Sequence, residues 1–314
     1  MRKNASQNFD IIGDIHGHCD ELERLLGAMG YEFNDGCYRH PEGRKVIFVG
    51  DLIDRGPKIR ETLALVKAMH DRGEALVTLG NHEYNAVCFC TNGPTGDPLR
   101  EHSDKNCLQL LETSRAFMDH VDEWEDYLNW FKTLPFFLDL GDFRVVHACW
   151  SQRHIDLLGG KALHDDEFLQ QTATPGTAEY WAVETVLKGA EIKLPDGVSF
   201  ADKAGHVRTK TRVKWWHQIE NLTYRSASYP EQSDLPEESV SSSAITEPWD
   251  VYGSTEVPVF CGHYWLPPEK PTTEKNVVCL DYSVALDGFV AAYRWEQGSK
   301  LSDKQFFTSN NHTA

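Results

Sequence analysis

The sequence is poor in basic residues, and this limits the partners that it can bind through bulk charge. Its 314 residues include 31 lysines and arginines against 48 aspartates and glutamates, a formal net charge of −17. Binding along a nucleic-acid backbone depends on basic surface that displaces counterions. We therefore expect no nucleic-acid partner, and any phosphate that the protein handles must be held by a few local side chains.

The sequence also lacks long apolar runs and cysteine pairs with CxxC spacing. No run approaches the roughly 20 residues of a membrane-spanning helix, and the first residues contain no apolar segment typical of a secretion signal. The eight cysteines form no CxxC pair, which argues against zinc-ribbon or thioredoxin-like chemistry. These absences predict reduced thiols, no membrane partner and a cytoplasmic location.

Short apolar runs, each stopped by a polar cluster, indicate an α/β fold. Such runs end before Gly13, Gly50, Gly80, His147 and Gly262, and the segments between several of them carry apolar residues at helical spacing. In open α/β sheets, ligands bind outside the carboxyl ends of strands, where loops from separate strands converge. We therefore expect the five polar clusters to lie close together.

We predict a single domain over residues 1–314 with two insertions. The first insertion, about 91–135, opens with a turn-rich stretch and continues into helical patterns, and the second covers about 151–256. Within the second, the Ser, Pro and Glu-rich run at 226–247 has the composition of a long mobile loop. The tail at about 299–314 is predicted to be frayed.

The polar clusters supply the ligands of a two-metal site. These candidate ligands come from five strand ends, and they are Asp14, His16, Asp51, Asn81, His147 and His263. Each of these residues alone is more often a turn residue or a structural histidine. That five strand ends all supply metal-ligand types is better explained by a metal site than by coincidence. Carboxylate, amide and imidazole donors suit Mn, Fe, Zn, Co or Ni, and the missing thiolate ligands argue against a structural zinc site.

The motifs around these residues resemble those of the calcineurin-like metallophosphoesterase superfamily. GDIHG at 13–17, GDLIDRG at 50–56 and GNHE at 80–83 are highly specific in combination, and His147 and His263 extend the likeness over most of the chain. The resemblance is to the phosphoprotein phosphatase branch, and within it to a bacterial subgroup near symmetrical diadenosine tetraphosphatases. It implies a four-layer α/β/β/α sandwich of two mixed sheets, with helical insertions.

The resemblance also implies how the ligands divide between two divalent metal ions, for which manganese is the first choice. In that division Asp14 and His16 bind the first ion, Asp51 bridges both, and Asn81, His147 and His263 complete the second. A hydroxide that bridges the two ions would then attack the phosphorus atom in line.

Three further residues of the motifs take catalytic roles by the same resemblance. His82 would protonate the leaving oxygen as general acid, and Asp54 would orient its ring. Arg55 would bind the phosphoryl oxygens, because a guanidinium offers a planar pair of donors that stays charged. Asn81 is assigned to substrate binding as well as to the metal.

A second phosphate-binding arginine is expected between His147 and His263. Arg212 is our choice and Arg208 is the competitor, since both lie in the basic and aromatic stretch before Trp216. The alternative for both arginines is a structural role, in which the basic side chain only stacks on a neighbouring aromatic ring.

Departures from the family pattern bear on the substrate. Ala148-Cys149 stands where eukaryotic Ser/Thr phosphatases carry Gly-Gly, and Tyr84-Asn85 stands where they carry an arginine. Tyr264-Trp265 replaces a small polar residue of the bacterial relatives. These rings, helped by Trp215 and Trp216, could stack on a nucleobase or could be core packing.

Three functions remain open at this point. The first is hydrolysis of phosphomonoesters, with a phosphorylated protein or a small phosphoester as substrate. The alternative is a symmetrical dinucleoside polyphosphate hydrolase that acts on diadenosine tetraphosphate. An inactive nucleotide-binding sensor or scaffold is the third and least favoured, because such a protein has no physical need of the full ligand set.

Overall fold

The computed structural model describes residues 8–202 and 205–310, which form sixteen β-strands and ten α-helices. The strands are β1 (Phe9–Ile12), β2 (Glu32–Asn34), β3 (Cys37–Arg39), β4 (Lys45–Phe48), β5 (Ala75–Val77), β6 (Phe137–Asp139), β7 (Arg144–Val146), β8 (Glu191–Lys193), β9 (Phe200–Ala201), β10 (Val207–Arg208), β11 (Lys210–Arg212), β12 (Val259–Cys261), β13 (Val277–Cys279), β14 (Asp281–Tyr282), β15 (Phe289–Trp295) and β16 (Phe306–Thr308). The helices are α1 (Cys19–Ala28), α2 (Ile59–Asp71), α3 (Asn81–Cys90), α4 (Asp104–Gln109), α5 (Leu111–Ala116), α6 (Val121–Phe131), α7 (Gln152–Leu158), α8 (Asp166–Ala173), α9 (Ala178–Lys188) and α10 (Tyr224–Ala227).

Two of the sheets carry most of the fold, and both are mixed, as predicted. The larger has the order β14-β15-β1-β4-β5, with β16 paired to β15, and the smaller has the order β13-β12-β7-β6. In the larger sheet β1, β4 and β5 are parallel while β15 is antiparallel to β1. In the smaller sheet β7, β12 and β13 are parallel and β6 is antiparallel.

Alternating side chains on these strands explain how the sheets pack. Ile11 and Ile47 of the larger sheet share one buried cluster with Val145, Phe260 and Val278 of the smaller sheet. Because successive side chains of a strand point to opposite faces, the neighbouring residues face away from this cluster. The two sheets therefore pack face to face, each buried aliphatic side chain contributing about 1.5–3 kcal/mol.

The first two helices cover the other face of the larger sheet. Leu22 and Leu25 of α1, and Leu63 and Val66 of α2, lie in a second buried cluster that includes Phe48 of β4. Helices therefore form the layer outside the larger sheet, as predicted. The complete α/β/β/α order of four layers stays a prediction.

The predicted insertions contain several of the helices, but two details of the prediction are wrong. The 226–247 run is packed rather than a mobile loop, since Tyr229, Leu235 and Val240 are buried. The predicted frayed tail contains β16, which pairs with β15, while residues 311–314 lie outside the described residues. No helix in the described part of the chain is long and apolar enough to cross a membrane.

Candidate metal centre and active site

The carboxyl ends of β1, β4, β5, β7 and β12 meet at one place, where both sheets contribute loops. The Nδ1 atom of His147 lies 2.8 Å from the carbonyl oxygen of Val49, which joins the two sheets directly. A Cβ atom at Gly262 would lie 1.9 Å from the Asp14 carboxylate. Glycine is therefore required at Gly262 for the loops to approach this closely.

Two groups of side chains at this place could each hold a metal ion, and they share Asp51. One consists of His16, Asp51 and His82, and the other of Asp51, His147 and His263; all of these residues are buried. Carboxylate oxygens of Asp51 lie 3.6 Å from Nε2 of His16 and 3.3 Å from Nε2 of His147. A carboxylate between two histidine groups is the arrangement expected of a bridging ligand in a two-metal site.

The ring nitrogens of the histidines fit this interpretation. The Nε2 atoms of His16 and His263 are buried without a hydrogen-bond partner among the described residues. Nδ1 of His16 lies 2.8 Å from the carbonyl oxygen of Ile53, so this nitrogen carries the proton and donates. A buried polar atom without a partner is costly, and a metal ion would supply the partner that each Nε2 lacks.

Burial and neighbouring charges also favour the protonation states that bind metals. Burial and the nearby Arg55 guanidinium hold the pKa of His16 well below its usual range, and burial with Arg212 does the same for His263. Burial alone would raise the pKa of Asp51, but the surrounding histidines, His147 foremost, hold it well below its usual range. Neutral imidazoles at His16 and His263 and an ionised Asp51 are the forms that bind divalent metals. His147 differs, because burial would lower its pKa but the adjacent Asp51 carboxylate raises it.

Asp14 and Asn81 also lie at this place, Asp14 outside the two groups and Asn81 beside His147 of the second group. The Asp14 carboxylate lies outside both groups and accepts the backbone N–H of His263 at 3.1 Å. Burial, Asp281 and Asp51 raise the pKa of Asp14 well above its usual range, as expected for a buried carboxyl beside like charges. The amide oxygen of Asn81 lies 3.1 Å from Nε2 of His147, inside the second group.

His82, the predicted general acid, belongs to the first metal-binding group. Its Nδ1 atom lies 2.6 Å from the Asp54 carboxylate, so Nδ1 donates and Nε2 faces the site. Nε2 is 3.9 Å from Asp51 and 3.4 Å from an Nη atom of Arg55. The structure thus brings His82, Asp54 and Arg55 together beside the ligands.

Backbone strain is concentrated at this site. Ten non-glycine residues among those described have positive φ, and six of them belong to the site or border it. These six are His16, Asp51, Asp54, Arg55, His263 and Trp265. Such conformations cost of order 1–3 kcal/mol each and persist only where the surroundings enforce them, typically at functional sites.

Two supporting residues escaped the sequence analysis. The buried Glu83 carboxylate accepts the backbone N–H groups of Asp51 at 2.9 Å and Leu52 at 2.7 Å, and so fixes the loop that carries Asp51. Thr113 of α5 donates its hydroxyl to Asp54 and accepts the Asp54 backbone N–H. Glu83 could have been inferred from its place in GNHE, whereas no sequence signal links Thr113 to Asp54.

The structure separates the two candidate arginines. Arg212 donates to the carbonyl oxygen of His263 at 3.3 Å and therefore borders the second group. Arg208 forms an ion pair with Asp202 at 2.6 Å. Of the two, Arg212 is the one that the fold brings to the site.

Most of the aromatic residues proposed to stack on a base are not available for it. Trp215 and Tyr264 are fully buried and Trp216 is nearly so. Trp265 is half-buried, and the guanidinium of Arg55 lies 3.8 Å from the centre of its ring. The aromatic cluster is therefore core packing, apart from Trp265, which contacts the predicted phosphate-binding arginine.

Two of the curated proteins that this chain resembles in sequence are bacterial tetraphosphatases. The chain resembles bis(5'-nucleosyl)-tetraphosphatase PrpE [asymmetrical] of Halalkalibacterium halodurans, with 51% identity over 74 residues, 24% of this chain and 30% of the relative. The protein of the same name from Bacillus subtilis is 32% identical over 142 residues, 45% of this chain and 57% of the relative. The chain thus spans 30% of the length of the first of these curated relatives and 57% of the second.

The fold and the family are supported by wider matches. A solved protein serine/threonine phosphatase from Saccharomyces cerevisiae superposes with a TM-score of 0.50 over 98% of this chain and 80% of its own, at 12% identity, which is a likeness of fold. The model of the calcineurin-like phosphoesterase family matches residues 8–225, more than half of the chain. The chain therefore belongs to the calcineurin-like phosphoesterase family, and its two mixed sheets form the metallophosphoesterase fold.

Proposed function

We propose that this protein is a metal-dependent hydrolase of dinucleoside tetraphosphates such as diadenosine tetraphosphate. The observation that carries the hydrolase assignment is the buried Asp51 carboxylate, shared by two histidine groups and lying beside the His82 and Asp54 pair. The substrate class is supported by the names of the curated relatives. These relatives favour the alternative of the sequence analysis over the phosphomonoesterase hypothesis.

In this proposal His16, Asp51, His147 and His263 hold the metal ions, with Asn81 beside them. Two divalent ions, when bound, would supply the nucleophile from water at neutral pH and neutralise charge on the phosphoryl oxygens. Asp14 supports the site by holding the backbone of His263, and its direct contact with a metal stays a prediction. The identity of the metals is likewise a prediction, with manganese first.

The remaining roles follow from hydrogen-bond geometry. As a general acid His82 would have to act in its imidazolium form, in which Nδ1 donates to Asp54 at 2.6 Å and Nε2 carries a second proton toward the site. It would transfer this proton to the leaving phosphate oxygen as the P–O bond breaks. Arg55 and Arg212 would bind the phosphoryl oxygens from two sides, and both stay charged at any working pH.

The experiment that tests the proposal compares three substrates under one set of conditions. Metal-stripped protein is restored with Mn, Fe, Zn, Co or Ni, and hydrolysis of diadenosine tetraphosphate, p-nitrophenyl phosphate and a phosphopeptide is measured. We expect the highest kcat/KM for the dinucleotide, and a fall on the order of 10²-fold or more in the Asp51→Asn control. A higher kcat/KM for either monoester would favour the phosphomonoesterase hypothesis instead. Inactivity on all three substrates with two metals bound would favour the sensor hypothesis.

Product analysis then decides where the tetraphosphate chain is cut. Asymmetrical cleavage of diadenosine tetraphosphate by water gives ATP and AMP, whereas symmetrical cleavage gives two ADP molecules. The sequence analysis predicted the symmetrical reaction, but the curated relatives are named asymmetrical, and we therefore expect ATP and AMP. Chromatography of the nucleotides at low conversion distinguishes the two outcomes.

A further inference from the structure

The loop at 262–266, which follows β12, carries both a candidate metal ligand and the aromatic ring next to Arg55. His263 belongs to the second metal-binding group, and two residues later the ring of Trp265 lies 3.8 Å from the Arg55 guanidinium. His263 and Trp265 have φ angles of 74° and 53°. Because this backbone conformation is unfavourable for such side chains, partners elsewhere in the fold must hold the loop in place.

His263 and Trp265 are each held by a different buried carboxylate. The backbone N–H of His263 donates to Asp14 at 3.1 Å, and the backbone N–H of Trp265 donates to Asp281 at 2.7 Å. The other carboxylate oxygen of Asp281, which is 2% exposed, accepts the backbone N–H of Ser283 at 2.9 Å. The Trp265 end of the loop can therefore be disturbed without removing the contact that holds His263.

Asp281 lies where the chain passes from one main sheet to the other. It comes two residues after β13 of the smaller sheet and begins β14 of the larger sheet. Its carbonyl oxygen accepts the backbone N–H of Leu266 at 2.9 Å, and the Ser283 hydroxyl donates to the carbonyl oxygen of Leu266 at 2.8 Å. Trp265 and Leu266 are thus fixed to a point that both sheets hold.

The Arg55 guanidinium depends on the Trp265 ring for its position. Residues 8–202 and 205–310 contain no ion-pair partner for Arg55; its guanidinium contacts the ring and lies 3.4 Å from Nε2 of His82. Burial lowers the pKa of Arg55, and the Asp51 and Asp281 carboxylates oppose this change. Since no carboxylate fixes the guanidinium at contact distance, the ring is the support that holds it at the site.

We propose that Asp281 is a positioning residue for phosphate binding, which holds the Trp265 ring where it fixes the Arg55 guanidinium. This inference rests on the proposed function, because it needs Arg55 to bind the phosphoryl oxygens. Asp281 does not touch the substrate and acts through the loop. Its removal should therefore weaken phosphate binding while the metal ions, which other residues hold, stay bound.

The test measures the binding of inorganic phosphate to the manganese-loaded protein by calorimetry. Asp281→Asn keeps the size of the side chain, but one of the two backbone N–H donors loses its acceptor. Because the effect passes through a single cation–π contact, we expect the Kd for phosphate to rise about two- to fivefold, with metal content unchanged. In the Trp265→Leu background, Asp281→Asn should have no further effect on this Kd.

Asp250→Asn is the matched control for the loss of a carboxylate. Asp250 accepts the backbone N–H of Arg153 at 2.6 Å, so it also joins distant parts of the backbone, but it contacts none of the site residues among those described. This variant should leave the Kd for phosphate unchanged. Because binding of phosphate does not depend on which phosphoester is cleaved, the comparison stays valid if the protein does not hydrolyse dinucleoside tetraphosphates.

A purely structural role of Asp281 would give a different pattern. Asp281→Asn would then lower the melting temperature with the Kd for phosphate unchanged, or its effect on the Kd would add to that of Trp265→Leu. Either result would overturn the proposal. Loss of a metal ion from Asp281→Asn would also overturn it, since the loop would then act through His263.

Two further variants keep the proposal open to refutation. Arg55→Ala should raise the Kd for phosphate more than Asp281→Asn does, and an unchanged Kd in Arg55→Ala would overturn the proposal together with the role of Arg55. If Asp281→Asn does not fold, Ser283→Ala removes the hydroxyl that holds Leu266. It should raise the Kd for phosphate in the wild type but not in Trp265→Leu, and an unchanged Kd in the wild type would contradict the proposal.

Discussion

The two sides of His82 are built from different parts of the chain. On one side, Asp51, His147 and His263 follow strands of the two sheets, and their positions are set by strand ends. On the other side, Gln109 and Thr113 come from the short helices α4 and α5 within the predicted first insertion. The strand-end side carries the groups that suit metals, and the helical side holds Asp54, which in turn contacts His82.

This difference separates residues that belong to sequence motifs from residues that only tertiary contacts bring to the site. The strand-end side depends on motifs at fixed places after each strand, so a change there should remove the chemistry altogether. The helical side contributes the orientation of His82 through Asp54, so a change there should alter the rate while the metal site survives. The following predictions test this division, from the largest expected effect to the smallest.

Asp51→Asn should have the largest effect, because Asp51 belongs to both metal-binding groups. We expect the loss of at least one ion and a fall in hydrolysis on the order of 10²-fold or more. Elemental analysis of the purified variant, with activity measured alongside, checks this. Full metal content with wild-type activity would show that Asp51 is not the bridging ligand.

His82→Asn should reduce the rate while the metal content stays at the wild-type value, if His82 acts as general acid. The expected loss is about 10²- to 10⁴-fold on a substrate with a poor leaving group. The geometry offers a competing role, since His82 is also close enough to Asp51 and His16 to bind a metal. Loss of an ion from the variant would assign His82 to the metal instead.

The strand-end side could be predicted from the sequence, and the helical side could not. Buried strands of alternating side chains, each stopped by a polar cluster, are sufficient to predict that Asp51, His147 and His263 meet. The contact between Thr113 and Asp54 joins residues 59 positions apart across a helical insertion, and no local pattern specifies it. The packing of the 226–247 run could not be predicted either. Its composition is mostly polar, and only a few of its residues, such as Tyr229, are buried apolar side chains that hold it against the fold.

Thr113→Val tests the helical side directly. The substitution keeps the shape of the side chain but removes the hydroxyl that donates to Asp54 and accepts its backbone N–H. We expect about a 10-fold loss of kcat, with metal content unchanged, and a decrease of about 1–3 kcal/mol in the free energy of unfolding. Thr113→Ser should retain most of the activity, and an equal loss in Ser and Val variants would point to packing rather than to the hydroxyl.

The smallest effect is expected at Trp265, whose ring lies against the guanidinium of Arg55 at 3.8 Å. Its backbone N–H donates to the buried Asp281 carboxylate at 2.7 Å, which fixes the backbone that carries the ring. A cation–π contact of this exposure contributes about 0.5–1 kcal/mol, and Trp265→Leu should therefore raise KM about two- to fivefold.

The double variant with Arg55→Ala shows whether Trp265 acts through Arg55. If the ring only positions the guanidinium, Trp265→Leu should have no further effect once Arg55 is gone, since the two residues then share one contribution. If the ring contacts the nucleotide itself, the two losses should add, and they should do so on diadenosine tetraphosphate but not on p-nitrophenyl phosphate. The second pattern would place base recognition on the strand-end side of His82, next to Arg55.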